Sequence, residues 1–290
     1  MAHCFRSNFR TPPLALGPGP PRSPSFIAAP TPVKRFVLSL LLMFLLAAGG
    51  VVWWQRDTLR DSWHLLRSLT VEKDKKPNPR PEEYRTLVED ATRWRKDLAK
   101  RYRAAPDRAA RQEILAETRD FLETLLPAMM RCWLGTPWDF NGTAECPGDG
   151  KIACGYFVAT VLRDAGFRID RYRLAKQPSQ KILRTFLPRK AMHLRAGVSY
   201  KSFAAEIRKA EPGIYIVGLD THVGFLVVPK NGAFHFIHSS ASAPRCVVEE
   251  PQTKATALAR SHYRVFGNLT ADPEVLRQWL LEKPFPVGKR

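Results

Sequence analysis

The chain has 290 residues, which is enough for one ordinary domain plus additional segments, and its apolar fraction of 44% is typical of a globular protein with a core. With 46 basic and 27 acidic side chains, its formal net charge is +19, which favours anionic partners such as nucleic acid, acidic lipid headgroups or an anionic wall polymer. The globular part shows no Lys/Arg run with interleaved aromatics, no zinc-finger spacing and no RNA-binding motif, so the sequence argues against nucleic acid.

The first 54 residues predict a membrane anchor that follows a basic, disordered segment. Residues 1–35 contain no Asp or Glu and show no hydrophobic period, which is typical of disorder. Residues 36–54 are uncharged and long enough to reach across a hydrocarbon core of about 30 Å. The basic flank predicts that everything after residue 54 lies outside the cytoplasm, in the periplasm or the extracellular space. A cleaved signal peptide is the alternative, and it would export the rest of the chain equally.

Two segments are predicted between this span and the globular domain. Residues 55–82 are charged and contain Pro, so we interpret them as a juxtamembrane spacer. Residues 83–130 repeat apolar side chains at helical spacing on both sides of a break at residues 105–107, which predicts a helical hairpin.

Residues 131–265 are interpreted as one α+β domain. Gly and Pro residues between positions 135 and 150 predict a loop, and Cys154 then opens a stretch whose apolar residues share one helical face. A short helix is predicted at 202–210, followed by three consecutive strands with the sequences GIYIVGL, HVGFLVV and AFHFIHSS. Residues 266–290 are predicted to form a C-terminal helix and a polar tail.

Cys154 is the candidate nucleophile, because its predicted position is the start of a helix. A thiol with a pKa near about 8.5 is mostly protonated at neutral pH, but a helix N-terminus and a nearby imidazolium both stabilise the thiolate. Backbone N–H groups at the helix start, such as that of Gly155, are free to bind the oxyanion of a tetrahedral intermediate. An inert, buried cysteine is the alternative.

His222, at the head of the second predicted strand, is the candidate base, and His238 on the next strand can hold its ring in the productive tautomer. His235 competes for that role, but its odd offset from His238 (238 − 235 = 3) places the two side chains on opposite faces of a regular strand. His238 shares its face with Phe234 and Phe236, which we expect to turn inward to the Cys helix. A histidine without a functional role is the alternative at each position.

Four short segments, LGTPWDFNG, IACGYFVATVLRDAGF, HVGFLVV and FIHSS, resemble the NlpC-type family of papain-like cell-wall peptidases, over roughly residues 130–245. The resemblance implies a papain-like fold, in which the Cys helix packs on an antiparallel sheet. It implies Cys154 as nucleophile, His222 as base and His238 as the residue that orients the base, without metal or cofactor. The expected partners are peptidoglycan stem peptides, or another amide-containing anionic substrate, and the membrane through residues 36–54.

Three further residues are assigned to oxyanion or substrate binding. Trp138 occupies the position at which the family usually has a Tyr that helps bind the oxyanion, and its indole N–H can donate instead. Asn141 lies in the same loop, and Gly155 follows the nucleophile. The family usually has Asp and Ser where this chain has Ala153 and Gly155. A cysteine acyltransferase or deamidase on a protein or lipid, and a non-catalytic wall- or partner-binding module, therefore stay open as alternatives.

The other cysteines of the predicted domain, Cys132, Cys146 and Cys246, are interpreted as structural. An exported compartment would allow one disulfide among the three. The sequence does not determine which two would pair.

Overall fold

The computed structural model describes residues 77–288. The predicted disordered segment 1–35, the apolar span 36–54 and most of the predicted spacer 55–82 lie outside the described residues. Among the helices of the described part, none combines the length and the hydrophobicity that crossing a membrane requires. The described residues form an α+β structure with one antiparallel sheet.

Eight α-helices and six β-strands are present between residues 77 and 288. The helices are α1 (Pro81–Ala104), α2 (Arg108–Cys132), α3 (Cys154–Asp164), α4 (Arg171–Ala175), α5 (Ser179–Phe186), α6 (Tyr200–Lys209), α7 (Thr256–Arg260) and α8 (Pro273–Leu280). The strands are β1 (His193–Ala196), β2 (Gly213–Leu219), β3 (Val223–Val228), β4 (His235–Ser239), β5 (Val247–Pro251) and β6 (Tyr263–Asn268).

Helices α1 and α2 are the pair of helices that the sequence predicts at residues 83–130. Asp107 caps α2, because its side chain accepts a hydrogen bond from the backbone N–H of Ala110 at 2.8 Å. The two helices pack through aromatic rings, with the centres of Trp94 and Phe121 5.7 Å apart. Phe121 also contacts Trp279 of α8 at 6.2 Å, so the C-terminal helix packs against the hairpin.

The sheet has the strand order β1-β6-β2-β3-β4-β5, and every neighbouring pair is antiparallel. Strands β2, β3 and β4 correspond to the three predicted strands, whereas the sequence pattern does not predict β1, β5 and β6. Strand β6 also crosses the predicted boundary between residues 265 and 266. The charged residue Arg264 interrupts the apolar pattern of β6, so the sequence does not indicate a strand there. Arg264 is nevertheless buried, and its guanidinium donates to the backbone carbonyls of Leu258 and Val198 at 2.8 Å.

Both faces of the sheet are covered, which corrects one expectation. On one face Phe225 and Ile237 pack with Phe157 of α3, in a main core that also includes residues of α1, α2, α5 and α8. On the other face Phe234 and Phe236 belong to a second core with α6 and α7. The face with the two Phe residues was expected to turn to the Cys helix and turns away from it, because α6 and α7 provide a second apolar cover.

Cys132 and Cys246 carry free thiols, so the disulfide that the sequence would allow among Cys132, Cys146 and Cys246 does not form. Any pair drawn from these three would use at least one of the two free thiols. Cys132 lies at the end of α2, and burial raises the pKa of its thiol to about 12. Cys132 therefore behaves as a small apolar residue of the core.

Candidate functional site

Helix α3 begins at Cys154, and no side chain caps its N-terminus. Ala153 precedes the helix and has no side-chain oxygen, so it makes no hydrogen bond to the N–H groups of the first turn. The backbone carbonyl of Ala175, at the end of α4, lies directly against Gly155, and a Cβ at that position would overlap the carbonyl oxygen. The glycine therefore permits close contact between the helix that carries the thiol and α4.

Arg171 of α4 ties the loop that leads into α3 to the helices behind it. The residue is only 3% exposed. Its guanidinium donates to Oε1 of Glu145 at 2.6 Å, to the carbonyls of Thr143 and Ala144 at 3.0 and 2.8 Å, and to Oγ1 of Thr160 at 2.7 Å. A buried cation is stable only when it is paired and hydrogen-bonded in this way. These contacts fix how the loop approaches the start of α3.

Cys154 lines a cavity of about 640 Å³. One part of the cavity wall comes from residues of the segment 175–182, which includes the start of α5. Another part is the β2–β3 turn, from Leu219 to Val223, which brings His222 into the same cavity. The structure therefore places the predicted nucleophile and the predicted base together, although 222 − 154 = 68 positions separate them in the sequence.

Cys154 and His222 are both held in their neutral forms. Burial raises the pKa of the Cys154 thiol, and this effect outweighs the backbone N–H groups of Val223, Gly155 and Cys154 itself, which lower it. Burial, followed by repulsion from His238, lowers the pKa of His222 from its ordinary value of 6.5 to about 3. The resting site thus holds a thiol and a neutral imidazole, and the thiolate–imidazolium pair expected from the sequence is not favoured.

A line of hydrogen bonds joins His222 to two further side chains. Its Nε2 lies 2.7 Å from Nδ1 of His238, and Nε2 of His238 lies 3.2 Å from Oε2 of Glu250 on β5. Gly224 of β3 leaves room for this arrangement, because a Cβ there would lie 2.8 Å from the Cβ of His238. His238 is 1% exposed, so the middle of the line is shielded from water.

Glu250 is the member of this line that the sequence analysis missed. The β4/β5 register pairs Phe236 with Glu250 and His238 with Val248, which places Glu250 diagonally across from His238 on one face of the sheet. Side chains alternate between the two faces of a strand, so residues 247–250 would place Val248 and Glu250 on one face. This inference requires that β5 is first identified as a strand.

His235 lies on the other face of β4, as its odd offset from His238 predicts. Its side chain is 44% exposed, and its Nδ1 lies 3.2 Å from Oε1 of Glu249. Glu249 also accepts two hydrogen bonds from Arg131, at 2.9 and 2.8 Å. Burial opposes the ionisation of Glu249, but the hydrogen bonds from Arg131 prevail and lower its pKa to about 2. His235 therefore lies beside the ion pair of Arg131 and Glu249 and is not among the residues that line the cavity.

Two of the predicted binding residues lie apart from the cavity. Trp138 is half-buried, and the guanidinium of Arg245 covers its ring, with Cζ 5.0 Å from the ring centre. Asn141 is exposed, and its backbone N–H donates to Oδ1 of Asp139 at 3.0 Å. Of the three residues assigned to oxyanion or substrate binding, only Gly155 is among those that line the cavity.

Residues 77–288 contain no group of three or more His, Cys, Asp or Glu side chains arranged to hold a metal ion. No protein-family model matches the chain, and no curated protein is significantly similar to it.

Proposed function

We propose that the chain is a cysteine hydrolase that cleaves amide bonds through an acyl-enzyme on Cys154. The observation that carries the proposal is that Cys154 and His222 line one cavity, with the ring of His222 2.7 Å from that of His238. A nucleophile, a base and a group that orients the base are the three parts that this type of acyl transfer uses. A Cys helix beside an antiparallel sheet also suits the papain-like fold that the motifs imply.

The proposed reaction begins with proton transfer from the Cys154 thiol to Nδ1 of His222, the ring nitrogen that does not contact His238. The sulfur bonds to the carbonyl carbon of the amide, and the carbonyl oxygen takes the negative charge. The N–H groups of Cys154 and Gly155, at the uncapped start of α3, stabilise this oxyanion. His222 then gives its proton to the departing amine, which leaves a thioester. Water, deprotonated by His222, hydrolyses the thioester to a carboxylic acid and restores the thiol.

A peptide substrate suits the lining of the cavity, which combines polar and apolar side chains and carries little charge. Gln177, Ser179 and Gln180 offer donors and acceptors for backbone amides, and Asp220 is the one carboxylate among the lining residues. Peptidoglycan stem peptides are the first-choice substrate, on the strength of the motif resemblance and of the predicted export. In this proposal residues 36–54 anchor the protein in a membrane, and the site lies outside the cytoplasm.

The same arrangement of Cys154 and His222 also serves acyl transfer to an amine or hydroxyl of a protein or lipid, or deamidation, because the thioester is common to these reactions. A non-catalytic binding module is the alternative from another class. The residues Ala153, Gly155 and Trp138, which differ from the usual family pattern, favour it.

The test is incubation of the full-length protein with peptidoglycan fragments, with the release of new amino groups as the measurement. Wild type should release them, Cys154→Ala should not, and Cys246→Ala should behave as wild type because Cys246 is outside the lining of the cavity. A thiol-reactive probe should label Cys154 at neutral pH. Absence of both turnover and labelling would favour the binding module, and acyl transfer to an added amine would favour the transferase.

A further inference from the structure

We infer that Glu250 is a positioning residue that selects the reactive tautomer of His222 through His238, an inference that rests on the proposed roles of Cys154 and His222. Glu250 is not among the residues that line the cavity. Its effect on the reaction therefore has to pass through hydrogen bonds to His238.

Glu250 fixes where His238 carries its proton. An ionised carboxylate can only accept hydrogen bonds, so the contact of 3.2 Å between Oε2 of Glu250 and Nε2 of His238 requires a proton on Nε2. A neutral imidazole carries one N–H group. Nδ1 of His238 is then an acceptor.

His238 in turn fixes where His222 carries its proton. The contact of 2.7 Å between Nδ1 of His238 and Nε2 of His222 contains one proton, which has to belong to Nε2 of His222. Nδ1 of the neutral His222 therefore keeps a free lone pair. This lone pair can take the proton of Cys154. The sulfur of Cys154 also accepts a hydrogen bond from the backbone N–H of Val223, the residue next to His222.

The opposite arrangement shows what Glu250 contributes. Without an acceptor at its Nε2, His238 can carry its proton on Nδ1 and donate to Nε2 of His222. His222 would then carry its own proton on Nδ1 and would have no lone pair for the thiol. The two rings by themselves are compatible with both arrangements, so the choice falls to Glu250.

The surroundings of Glu250 suit this role. Its side chain is 21% exposed, and partial shielding from water strengthens a hydrogen bond to a charged group. The ring of Phe236 stacks on His238 with centres 4.1 Å apart, which holds the plane of the imidazole. Glu249, the preceding residue, points to the opposite face and pairs with Arg131 at 2.8 Å, so it provides a matched control.

The test compares Glu250→Leu and Glu250→Gln with Glu249→Gln in the full chain. NMR of the histidine ring nitrogens, above the pH range in which histidine is protonated, reports the tautomer of His222. We expect protonation on Nε2 alone in wild type and in Glu249→Gln. Glu250→Leu should give a mixture of tautomers and a rate of Cys154 alkylation that is lower by roughly tenfold or more. Glu250→Gln keeps an acceptor oxygen and should lie between the two.

Two results would overturn the inference: protonation of the wild-type His222 on Nδ1, or an unchanged tautomer and alkylation rate in Glu250→Leu. If Glu250→Leu does not fold, the wild-type spectrum decides alone. Neither readout uses a substrate. Absence of hydrolysis, with the tautomer as inferred, would therefore count against the proposed function and not against the role of Glu250.

Discussion

Nε2 of His222 lies 2.7 Å from Nδ1 of His238, and the two rings meet at 83° with their centres 4.8 Å apart. His222 is half-buried at the end of a turn, whereas His238 is buried on a strand. His238 is fixed by its strand, and its contact with His222 therefore holds the His222 side chain in place at the edge of the cavity. Substitution of each histidine should therefore have a different effect on turnover.

The first prediction ranks the histidines by their effect on turnover at saturating substrate. His222→Ala should lose about 100-fold or more, because it removes the proton acceptor. His238→Ala should be strongly reduced, but less than His222→Ala, because it orients the base and does not touch substrate. His235→Ala, on the opposite face, should stay close to wild type. A crippled His235→Ala beside a normal His238→Ala would contradict this geometry.

The second prediction concerns the acid side of the pH–rate profile. The base has to be unprotonated, and burial with repulsion from His238 lowers the pKa of His222 from 6.5 to about 3. His222 therefore stays neutral as the pH falls through the range in which an ordinary histidine gains a proton. We expect kcat/KM to hold through that range and to fall only at more acidic pH.

The measurement for this prediction is kcat/KM against pH, because this ratio reports the ionisation of the free enzyme. The reference value is the pKa of an unperturbed histidine, near 6.5. An acid limb centred there would mean that His222 is not shielded in the way the structure indicates.

The strands that could be predicted from sequence are those with apolar runs and a clear turn. Strands β2, β3 and β4 are of this kind, and all but two of the residues in these three strands are buried. β1 is largely exposed at a sheet edge, so its residues show no apolar pattern. β6 is central, but Arg264 interrupts its pattern and becomes acceptable in a core only because backbone carbonyls accept its N–H groups.

For the candidate site, the sequence could predict the nucleophile and the base, but not the contacts that hold His238 behind the base. Cys154 stands out because it begins a helix and His222 because it directly precedes a strand, and both line one cavity. In the sequence, Glu250 is one of two adjacent glutamates with nothing to distinguish it. Only the pairing register shows that Glu250 reaches His238. Motif position alone predicts a binding role for Trp138, and the loop places its ring beside Arg245.

The third prediction uses Gly155, where two physical effects have opposite signs. Helix propensity alone makes Gly155→Ala stabilising by up to about 1 kcal/mol. The contact with the backbone oxygen of Ala175 makes the same change an overpacking that costs about 1–3 kcal/mol. We expect the contact to prevail, with a lower midpoint of urea unfolding and slower alkylation of Cys154.

Ala175→Gly provides the control for this prediction. Because the obstacle is the backbone carbonyl of residue 175 and not its side chain, the double variant with Gly155→Ala should not recover the lost stability. Recovery would show that the Ala175 methyl group causes the clash. A stabilised Gly155→Ala single variant would show that α4 moves away at little cost.

The last prediction concerns Arg171, which is outside the cavity and holds the loop that leads to Cys154. Arg171→Ala removes a buried cation and leaves the carbonyls of Thr143 and Ala144 without their donor. Breaking a buried ion pair typically costs 3–5 kcal/mol, and Glu145 keeps a second partner in Arg163, so we expect a loss of about 3 kcal/mol. Urea unfolding measures the loss.

Two further variants separate the geometry of Arg171 from its charge. Arg171→Lys keeps the charge but loses the planar fork that reaches Glu145, Thr143 and Thr160 together, so it should recover only part of the stability. Arg173→Ala removes an exposed arginine from the same helix and should change stability by less than about 0.5 kcal/mol.

Because the loop ends at Cys154, alkylation of that thiol should slow in Arg171→Ala under conditions in which the variant is still folded. An unchanged unfolding midpoint in Arg171→Ala would mean that the loop keeps its position without the guanidinium.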